Sequence, residues 1–277
     1  MPVSLPATPR GLLFDLDGVL YNAEVPIPGA AEALEWVRER GIPRLFVTNT
    51  TSRSRATIAA KLARFGIPGG EDDILTPPMA ASAWLRANGG GGAVALFVRD
   101  AARSDFEGLN LLPDDAERGA SFVVIGDLGT HWDFATLNRA FRLLHHNPEA
   151  QLIALGMTRY WMASDGISLD VAPFVAALEH ATGRRPLVFG KPAAIFFRAA
   201  AERLGLPPEA VLMVGDDIEA DVRGAMAAGL GGAMVRTGKF RPADLETEPQ
   251  PHLVLDSVAD LPKFWRNLAV ESGFIPA

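Results

Sequence analysis

The feature that most constrains the fold is an apolar segment that stops in two carboxylates. Residues 11–14 read Gly-Leu-Leu-Phe, and Asp15, Leu16, Asp17 and Gly18 follow. Such a segment predicts a buried strand whose end holds two mutually repelling acids with little water, so we expect a divalent cation there. Gly18 allows a sharp turn that leaves the acids at the carboxyl end of the strand, where open α/β sheets bind ligands.

Strand and helix patterns alternate after this segment. Residues 29–40 and 54–65 carry apolar side chains at helical spacing, with an apolar run at 44–48 between them. The same alternation returns from residue 187 and ends in a helix predicted at 261–268. Because strands that are joined by helices run parallel, this order predicts an α/β fold built on a parallel sheet.

A second predicted strand also ends in acids. The apolar residues 211–214 are followed by Gly215, Asp216 and Asp217, and Asp221 lies one turn along a helix predicted to continue to Ala228. Two parallel strands that finish in carboxylates can converge on one ion. Ligands that are all oxygen atoms favour Mg²⁺, which retains waters and accepts phosphate oxygens.

Hydrogen-bond donors follow two other segments. Thr48 and Asn49 end the apolar run at 44–48, and Lys191 opens a helix predicted to reach Leu204. A hydroxyl, an amide and an ammonium beside a cation suit a dianion such as phosphate. Each segment alone also fits a turn, a helix cap or a solvated loop. All four follow a predicted strand, which favours one shared site.

Composition sets the size and excludes several classes of protein. The 277 residues suffice for one large or two smaller domains, and a net charge of −7 without a basic cluster argues against nucleic acid or anionic membranes as partners. The absence of cysteine excludes disulfides, thiolate catalysis and zinc–sulfur sites. With no secretory signal and no long apolar run, the sequence predicts a cytoplasmic protein without a transmembrane helix.

The spacing of the polar segments predicts an inserted domain. One loop and one helix fill the interval between Asp17 and Thr48, whereas about 140 residues separate Asn49 from Lys191. After one helix is allowed for, roughly 110 residues remain, which is a common size for a small α/β domain. The predicted boundaries are 1–77 and 188–277 for the core and 78–187 for the inserted domain.

Together the four segments resemble the four motifs of haloacid dehalogenase-like hydrolases. The resemblance covers essentially the whole chain, and its most specific parts are Asp-Leu-Asp-Gly at 15–18 and Gly-Asp-Asp-Ile-Glu-Ala-Asp at 215–221. It implies a Rossmann-like parallel-sheet core with a smaller α/β cap domain, of the large C2 type, inserted between the second and third motifs.

The resemblance also implies a role for each site residue. Asp15 is the nucleophile that forms an aspartyl-phosphate, and Asp17 protonates the leaving group and then activates water. An acid at position 17 indicates a phosphatase rather than a transport ATPase or a dehalogenase. Phosphoryl binding is the implied role of Thr48, Asn49 and Lys191. Mg²⁺ binding is the implied role of the Asp15 carboxylate, the Asp17 carbonyl and Asp216. Asp221 is implied to orient the metal's waters, with Asp217 a weaker candidate for the same role.

Three further stretches, 155–161, 166–174 and 235–242, resemble family members that hydrolyse P–N bonds and pyrophosphate. The implied function is a Mg²⁺-dependent phosphatase for small phosphorylated molecules, with these compounds among its candidate substrates. A general phosphomonoesterase of the 4-nitrophenylphosphatase type and a non-catalytic binding protein on the same fold are the alternatives. Relatives also imply a homodimer formed through the cap.

Arg159, Tyr160 and Trp161 are candidates for a wall of the cap, where Arg159 would meet an anionic substrate. The alternative is that Tyr160 and Trp161 pack in the core of the cap, because large aromatic side chains supply much of the buried area in most domains.

Overall fold

A computed structural model describes residues 4–163 and 166–271 of the chain. The strands within these residues alternate with helices over most of the chain, as the sequence predicts. They are β1 (Gly11–Phe14), β2 (Tyr21–Asn22), β3 (Val25–Pro26), β4 (Arg44–Val47), β5 (Ile74–Leu75), β6 (Val94–Phe97), β7 (Phe122–Ile125), β8 (Gln151–Ala154), β9 (Tyr160–Ala163), β10 (Gly166–Leu169), β11 (Leu187–Val188), β12 (Val211–Gly215), β13 (Gly231–Val235) and β14 (Leu253–Leu255).

The helices connect successive strands. They are α1 (Ala30–Glu39), α2 (Arg55–Arg64), α3 (Pro77–Asn88), α4 (Asp100–Arg103), α5 (Phe134–His146), α6 (Val171–Thr182), α7 (Ala194–Arg203), a π-helix (Ile218–Arg223), α8 (Gly224–Ala227) and α9 (Leu261–Glu271). In the part of the chain that the structure describes, none of the helices has both the length and the apolar character that a membrane crossing requires.

Contacts between residues divide the chain into two compact units. The first comprises the described residues of Met1–Thr48, Arg55–Leu75 and Lys191–Ala277, and the second comprises Asn49–Ser54 and Thr76–Gly190. The assignment of residues 78–187 to an inserted cap domain stays a prediction.

The first unit contains a parallel six-stranded sheet. Its strand order is β14-β13-β12-β1-β4-β5, so β1 lies between β12 and β4. Leu12 pairs with Leu212 on one side and with Arg44 on the other. The parallel α/β fold predicted from the sequence is therefore confirmed, and Asp15, Thr48 and Asp216, which follow β1, β4 and β12, lie at the same edge of the sheet.

The centre of this sheet is buried on both faces. All residues of β1 and β12 are buried, which is typical of parallel strands covered by helices on either side. Helix α1 directs Leu34 and Val37 into the core, where Phe14 and Phe46 pack with their ring centroids 6.3 Å apart. Each fully buried side chain of this size contributes about 1.5–3 kcal/mol. This packing makes the sheet a rigid support for the loops at its edge.

A short hairpin lies between the first strand and the first helix, where the sequence predicts only a loop. Strands β2 and β3 pair antiparallel, and Ala23 in the turn has a positive φ of 51°. Tyr21 is buried and packs against Phe65, with 5.5 Å between the ring centroids. Strands of two residues are too short to show an alternating pattern, so sequence periodicity does not reveal them.

The second unit has a sheet and a core of its own. Strands β6, β7, β8 and β11 form a parallel sheet in the order β11-β8-β7-β6. Side chains from this sheet and from α5 and α6 form a separate hydrophobic cluster that includes Phe97, Leu143, Leu152 and Val175. The second unit is thus an α/β unit, as the sequence predicts for this region.

An antiparallel hairpin, β9–β10, projects from the second unit. Tyr160 is 57% exposed and Trp161 is 46% exposed, and Ile167 and Leu169 on β10 are more exposed still. The hypothesis that Tyr160 and Trp161 pack in the core of this unit is therefore wrong. The core is instead filled by the sheet and the two helices, which leaves the hairpin outside it.

Candidate active site

Asp15 lies directly beyond β1, where the parallel pairing with β12 holds its backbone. Its N–H donates to the carbonyl of Val214 at 3.0 Å, so the ladder extends one residue past the strand. The side chain is largely buried, and its Oδ1 lies 2.8 Å from Nζ of Lys191. The carboxylate is thus fixed by backbone and side-chain contacts at the edge of the sheet.

Lys191 is the buried cation of the site. Its Nζ lies between Oδ1 of Asp15 and Oδ1 of Asp221, at 2.8 Å and 2.6 Å, and it also donates to the carbonyl of Val47 at 3.4 Å. Burial lowers the pKa of the Lys191 ammonium, but the two carboxylates outweigh this effect and raise the pKa overall. The two carboxylates therefore favour the charged form of Lys191.

Three carboxylates converge beside this ammonium. Oxygen atoms of Asp15, Asp216 and Asp221 lie within 4.8 Å of one another. Oδ2 of Asp216 accepts the N–H of Lys239 at 2.7 Å, whereas its Oδ1 is buried with no hydrogen-bond partner. An unpartnered buried carboxylate oxygen is costly, and three carboxylates with one ammonium leave two negative charges. The donor set therefore fits a divalent cation.

The charge density of the group shifts the pKa of Asp216. Burial and the neighbouring Asp15 carboxylate raise the pKa of Asp216 to about 6, although the Lys239 N–H opposes the shift. The same two effects raise the pKa of Asp221, where Lys191 opposes them. Both shifts favour the protonated form of these acids when no cation is bound, and a bound cation would oppose them.

The helix that carries Asp221 begins as a π-helix rather than the α-helix predicted from the sequence. Oδ1 of Asp217 accepts the N–H groups of Glu219 and Ala220 and so caps its first turn. Asp221 packs against Gly215, where a Cβ on the glycine would lie 2.2 Å from Cβ of Asp221. Asp221, which the resemblance places behind the metal's waters, therefore joins the carboxylate group itself.

Asp17 lies apart from these three acids. Its side chain is exposed, and its Oδ1 accepts the N–H of Ala23 in the β2–β3 hairpin at 3.4 Å. Among the described residues, the carboxylate group that can hold a metal does not include Asp17. An acid that is held near the site but exposed to solvent can exchange a proton.

Thr48 and Asn49 fall in different units. Thr48 is buried at the end of β4, and its N–H donates to the carbonyl of Leu75 at 3.3 Å. Asn49 belongs to the second unit, where a Cβ on Gly190 would lie 3.1 Å from the Asn49 Oδ1. The structure thus gathers Asp15, Lys191, Asp216 and Asp221 within the first unit, and phosphoryl binding by Thr48 and Asn49 stays a prediction.

Sequence reasoning gave no site role to the loop after β13. Thr237, Gly238 and Lys239 contact the residues that follow β1 and β12. The available signal was a fourth buried strand that ends in polar residues and a glycine. Because that glycine is also typical of a simple turn, only the tertiary contacts distinguish a loop that contacts the site from an ordinary turn.

Comparison with known proteins identifies the family. A family model described as haloacid dehalogenase-like hydrolase matches residues 12–111, and a second, HAD-hydrolase-like model matches residues 188–261. The bovine (Bos taurus) haloacid dehalogenase-like hydrolase domain-containing protein 2 is 38% identical over 249 residues, which cover 90% of this chain and 92% of the relative. The chain belongs to the haloacid dehalogenase-like hydrolase family.

Two further members of the haloacid dehalogenase-like hydrolase family carry the names of phosphatases. Human (Homo sapiens) phospholysine phosphohistidine inorganic pyrophosphate phosphatase is 34% identical over 91% of this chain and 90% of its own length. The structure of p-nitrophenyl phosphatase from Archaeoglobus fulgidus superposes with a TM-score of 0.83 at 27% identity, and covers 93% of this chain and 100% of that one. The family predicted from the sequence is confirmed.

Proposed function

We propose that this hydrolase is a Mg²⁺-dependent phosphatase of small phosphorylated molecules that acts through an aspartyl-phosphate on Asp15. The observation that carries the proposal is the separation of two acids. Asp15 lies with Lys191 in the buried carboxylate group, whereas Asp17 stays exposed two residues away. A nucleophile needs a cationic environment that accepts phosphate, and a proton carrier needs contact with solvent.

Mg²⁺ is the cation that this donor set suits best. The ligands available are carboxylate and carbonyl oxygens, without histidine or sulfur, and Mg²⁺ keeps waters that a phosphate can replace. We assign its binding to the carboxylates of Asp15 and Asp216 and to the main-chain carbonyl of Asp17. When bound, the ion neutralises part of the charge of the phosphoryl group and of the attacking carboxylate.

In the first half-reaction, a carboxylate oxygen of Asp15 attacks phosphorus and the bond to the leaving group breaks. The pair of electrons of that bond goes to the leaving atom, which takes the proton of Asp17. The ammonium of Lys191 lies 2.8 Å from the nucleophile and offsets the negative charge that gathers around phosphorus. Thr48 and Asn49 are assigned to the other phosphoryl oxygens.

In the second half-reaction, water attacks the phosphorus of the aspartyl-phosphate. The carboxylate of Asp17 accepts a proton from that water, and the bond between phosphorus and the Asp15 oxygen breaks. Inorganic phosphate leaves, Asp15 is again a carboxylate, and Asp17 is again protonated. One acid thus serves both halves of the cycle without contacting the cation through its side chain.

The names of the relatives define two substrate classes to compare. One relative is named for phospholysine, phosphohistidine and pyrophosphate, and the structural neighbour for p-nitrophenyl phosphate. P–N compounds and pyrophosphate are therefore the first candidate substrates, and phosphomonoesters are the second. Asp17 favours the second class as well, because an acid that protonates an alkoxide is needed for esters with poor leaving groups.

A substrate panel tests the proposal. Phosphohistidine, phospholysine, pyrophosphate, 4-nitrophenyl phosphate and alkyl phosphates are incubated with the full chain, with Mg²⁺ and with EDTA, and released phosphate is measured. We expect Mg²⁺-dependent release from at least one class, and the ranking of kcat/KM assigns the substrate type. If no compound is hydrolysed although Mg²⁺ binds, the chain is a binding protein on this fold.

The Asp17→Asn variant is expected to separate substrates by their leaving groups. The first release of an alkyl alcohol should slow by about 10²–10⁴-fold, because the departing alkoxide has lost its proton donor. The first release of 4-nitrophenolate, which is stable as an anion, should be nearly unchanged. Rapid-mixing measurements of the first turnover check both rates, and steady-state turnover should fall for both substrates because water activation is also lost.

The Asp217→Asn variant is the matched control for this experiment. Asp217 is an acid of the same strand-end region, but its side chain caps the π-helix, which asparagine also does well. Any change in its first-turnover rates relative to the wild type should be the same for the alkyl phosphate and for 4-nitrophenyl phosphate. Equal slowing of both substrates by Asp17→Asn would contradict the role of Asp17 as the general acid.

The raised pKa of Asp216 predicts how metal-free stability depends on pH. The unfolded chain releases this proton near pH 3.8, whereas the folded protein releases it near 6. Between these values the folded state binds the additional proton, so stability falls as the pH rises, by ~3 kcal/mol in total. Urea unfolding in EDTA at pH 4 to 7.5 should show a steeper decline in the wild type than in Asp216→Asn, which keeps only the contribution of the raised Asp221 pKa.

Above pH 6, Mg²⁺ should reverse the order of stability of the wild type and Asp216→Asn. The wild type gains stability by binding the ion to the ionised carboxylate, whereas Asp216→Asn lacks one ligand and gains less. The variant should thus be the more stable protein in EDTA and the less stable one at saturating Mg²⁺. Identical pH profiles for both proteins would show that Asp216 has an ordinary pKa in the folded state.

Other expectations from the sequence stay proposals for this chain. A homodimer formed through the cap, a cytoplasmic location, and no binding to nucleic acid or membranes belong to this group. Arg159 is exposed and directly precedes the β9–β10 hairpin, so it is proposed to meet an anionic substrate.

A further inference from the structure

The segment after β13 contacts both strand ends that supply the acids. We name residues Thr237, Gly238 and Lys239 the 237–239 loop. The hydroxyl of Thr237 donates to the carbonyl of Gly18 at 2.5 Å, and the N–H of Lys239 donates to Oδ2 of Asp216 at 2.7 Å. The loop thereby joins the turn after β1 to the turn after β12.

One contact involves a proposed metal ligand, Asp216, and the other involves the residue that follows Asp17. Gly18 follows Asp17, whose carbonyl is assigned to Mg²⁺, so the Thr237 bond fixes the neighbouring peptide group. The Lys239 N–H occupies one oxygen of Asp216 and leaves the other, Oδ1, buried without a protein partner. The loop therefore determines which oxygen of Asp216 is available to a cation.

Close packing shows that the arrangement is constrained. A Cβ on Gly18 would lie 2.0 Å from Oδ2 of Asp216, and a Cβ on Gly238 would lie 2.1 Å from the same oxygen. Both glycines have positive φ, 87° and 64°. The Asp216 carboxylate is thus enclosed by two glycines and by a donated N–H, and small movements of the loop must move its oxygens.

We propose that Thr237 is a positioning residue for the Mg²⁺ site. Its hydroxyl fixes the 237–239 loop to the carbonyl of Gly18, the residue that follows Asp17. The inference rests on the proposed function, because it takes the cation of that function as its ligand. Thr237 itself does not contact the ion or the substrate. It acts through Gly18 and through the Lys239 N–H that orients Asp216.

The side chain of Lys239 is not the group that carries this role. Its Nζ lies 3.2 Å from Oδ2 of Asp217, but the side chain is 71% exposed, so solvent screens the pair. The contact that orients Asp216 comes from the main-chain N–H, which every substitution of Lys239 except proline retains. The hydroxyl of Thr237 is therefore the group that a substitution can test.

Thr237→Val removes the hydroxyl and keeps the shape of the side chain. The dissociation constant for Mg²⁺ alone, measured by titration calorimetry on the full chain, should rise by about 10-fold or more, because the loop whose Lys239 N–H orients Asp216 loses its bond to the turn after β1. Thr237→Ser keeps the hydroxyl and should bind Mg²⁺ about as tightly as the wild type. The rise in melting temperature caused by saturating Mg²⁺ should shrink in the valine variant and persist in the serine variant.

Thr182→Val is the matched control. The Thr182 hydroxyl donates to the carbonyl of Leu178 at 2.6 Å at the end of α6, so it makes the same kind of bond in the second unit. This variant should lose stability in EDTA without a change in Mg²⁺ affinity. If Thr237→Val does not fold, Thr237→Ala takes its place under the same criteria.

Two results would overturn the proposal. One is a Thr237→Val protein that binds Mg²⁺ as tightly as the wild type, and the other is an equal loss of affinity in Thr182→Val. Mg²⁺ binding is measured without substrate, so these results are independent of turnover. A chain that binds Mg²⁺ but hydrolyses no phosphate compound would contradict the proposed function and leave the role of Thr237 intact.

Discussion

The Asp15→Asn variant is expected to lose phosphatase turnover by at least ~10³-fold, because the side chain that attacks phosphorus is no longer an anion. Asparagine has nearly the same shape, and the backbone N–H at this position still donates to Val214. The loss should therefore come from chemistry rather than from a change of fold. The measurement is kcat with 4-nitrophenyl phosphate at saturating Mg²⁺.

A covalent intermediate provides a second measurement for the same variant. Acid quenching of the wild type during turnover of ³²P-labelled substrate should leave label on the protein, and Asp15→Asn should leave none. Asp133→Asn is the control, because Asp133 caps α5 by accepting the N–H of Thr136, and asparagine caps equally well. An Asp15→Asn protein that retains more than a few per cent of wild-type kcat would place the nucleophile elsewhere.

The Lys191→Met variant is expected to be destabilised by about 3–5 kcal/mol in EDTA, as is common when one partner of a buried ion pair is removed. The Lys191 side chain is 4% exposed and contacts two carboxylates, Asp15 and Asp221. Methionine fills a similar volume but leaves both acids without a cation. Urea unfolding at pH 7.5 measures the free energy of unfolding.

The matched control is another lysine that pairs with an acid near the surface. Nζ of Lys61 lies 3.1 Å from Oε1 of Glu24, but Glu24 is 67% exposed. Lys61→Met should therefore cost much less than Lys191→Met, because water solvates the remaining carboxylate. A similar cost for both lysines would contradict the view that Lys191 compensates buried charge.

A double-mutant cycle tests whether the loss of stability in Lys191→Met comes from the buried carboxylates. Adding Asp221→Asn to Lys191→Met removes one of the acids that lost its cation, so the double variant should be more stable than the sum of the single changes by about 1–3 kcal/mol. Saturating Mg²⁺ should reduce the cost of Lys191→Met, since the ion supplies positive charge to the same oxygens. Strict additivity of the two substitutions would show that Lys191 and Asp221 act independently.

The sequence predicted the first unit in detail because its strands have a simple pattern. Its longer strands end where an apolar run meets polar residues, as at Asp15 after β1 and Asp216 after β12. That pattern follows from burial, because apolar side chains remain inside the sheet and polar ones gather where it ends. The shorter elements escaped prediction: β2, β3 and β5 have two residues each, too few to show a period.

The candidate site was predictable to the extent that it lies at the ends of strands. Asp15 and Asp216 come together as expected from the neighbouring positions of β1 and β12, and Lys191, which follows β11, lies 2.8 Å from Oδ1 of Asp15. The place of Asp221 was predicted less well, because the helix that carries it begins as a π-helix, whose geometry the apolar spacing of the sequence does not distinguish from that of an α-helix. The exposure of Tyr160 and Trp161 likewise depends on how the second unit fills its core.

The sequence by itself determined the α/β class, the family, and the acids at the ends of β1 and β12. These properties depend on local patterns and on short motifs, so the order of residues is enough to reveal them. Only the tertiary structure decided that Asp17 stands apart from the carboxylate group and that Thr237 contacts Gly18. The latter two residues are 219 positions apart, and their contact exists because β13 packs beside β12 in the folded sheet.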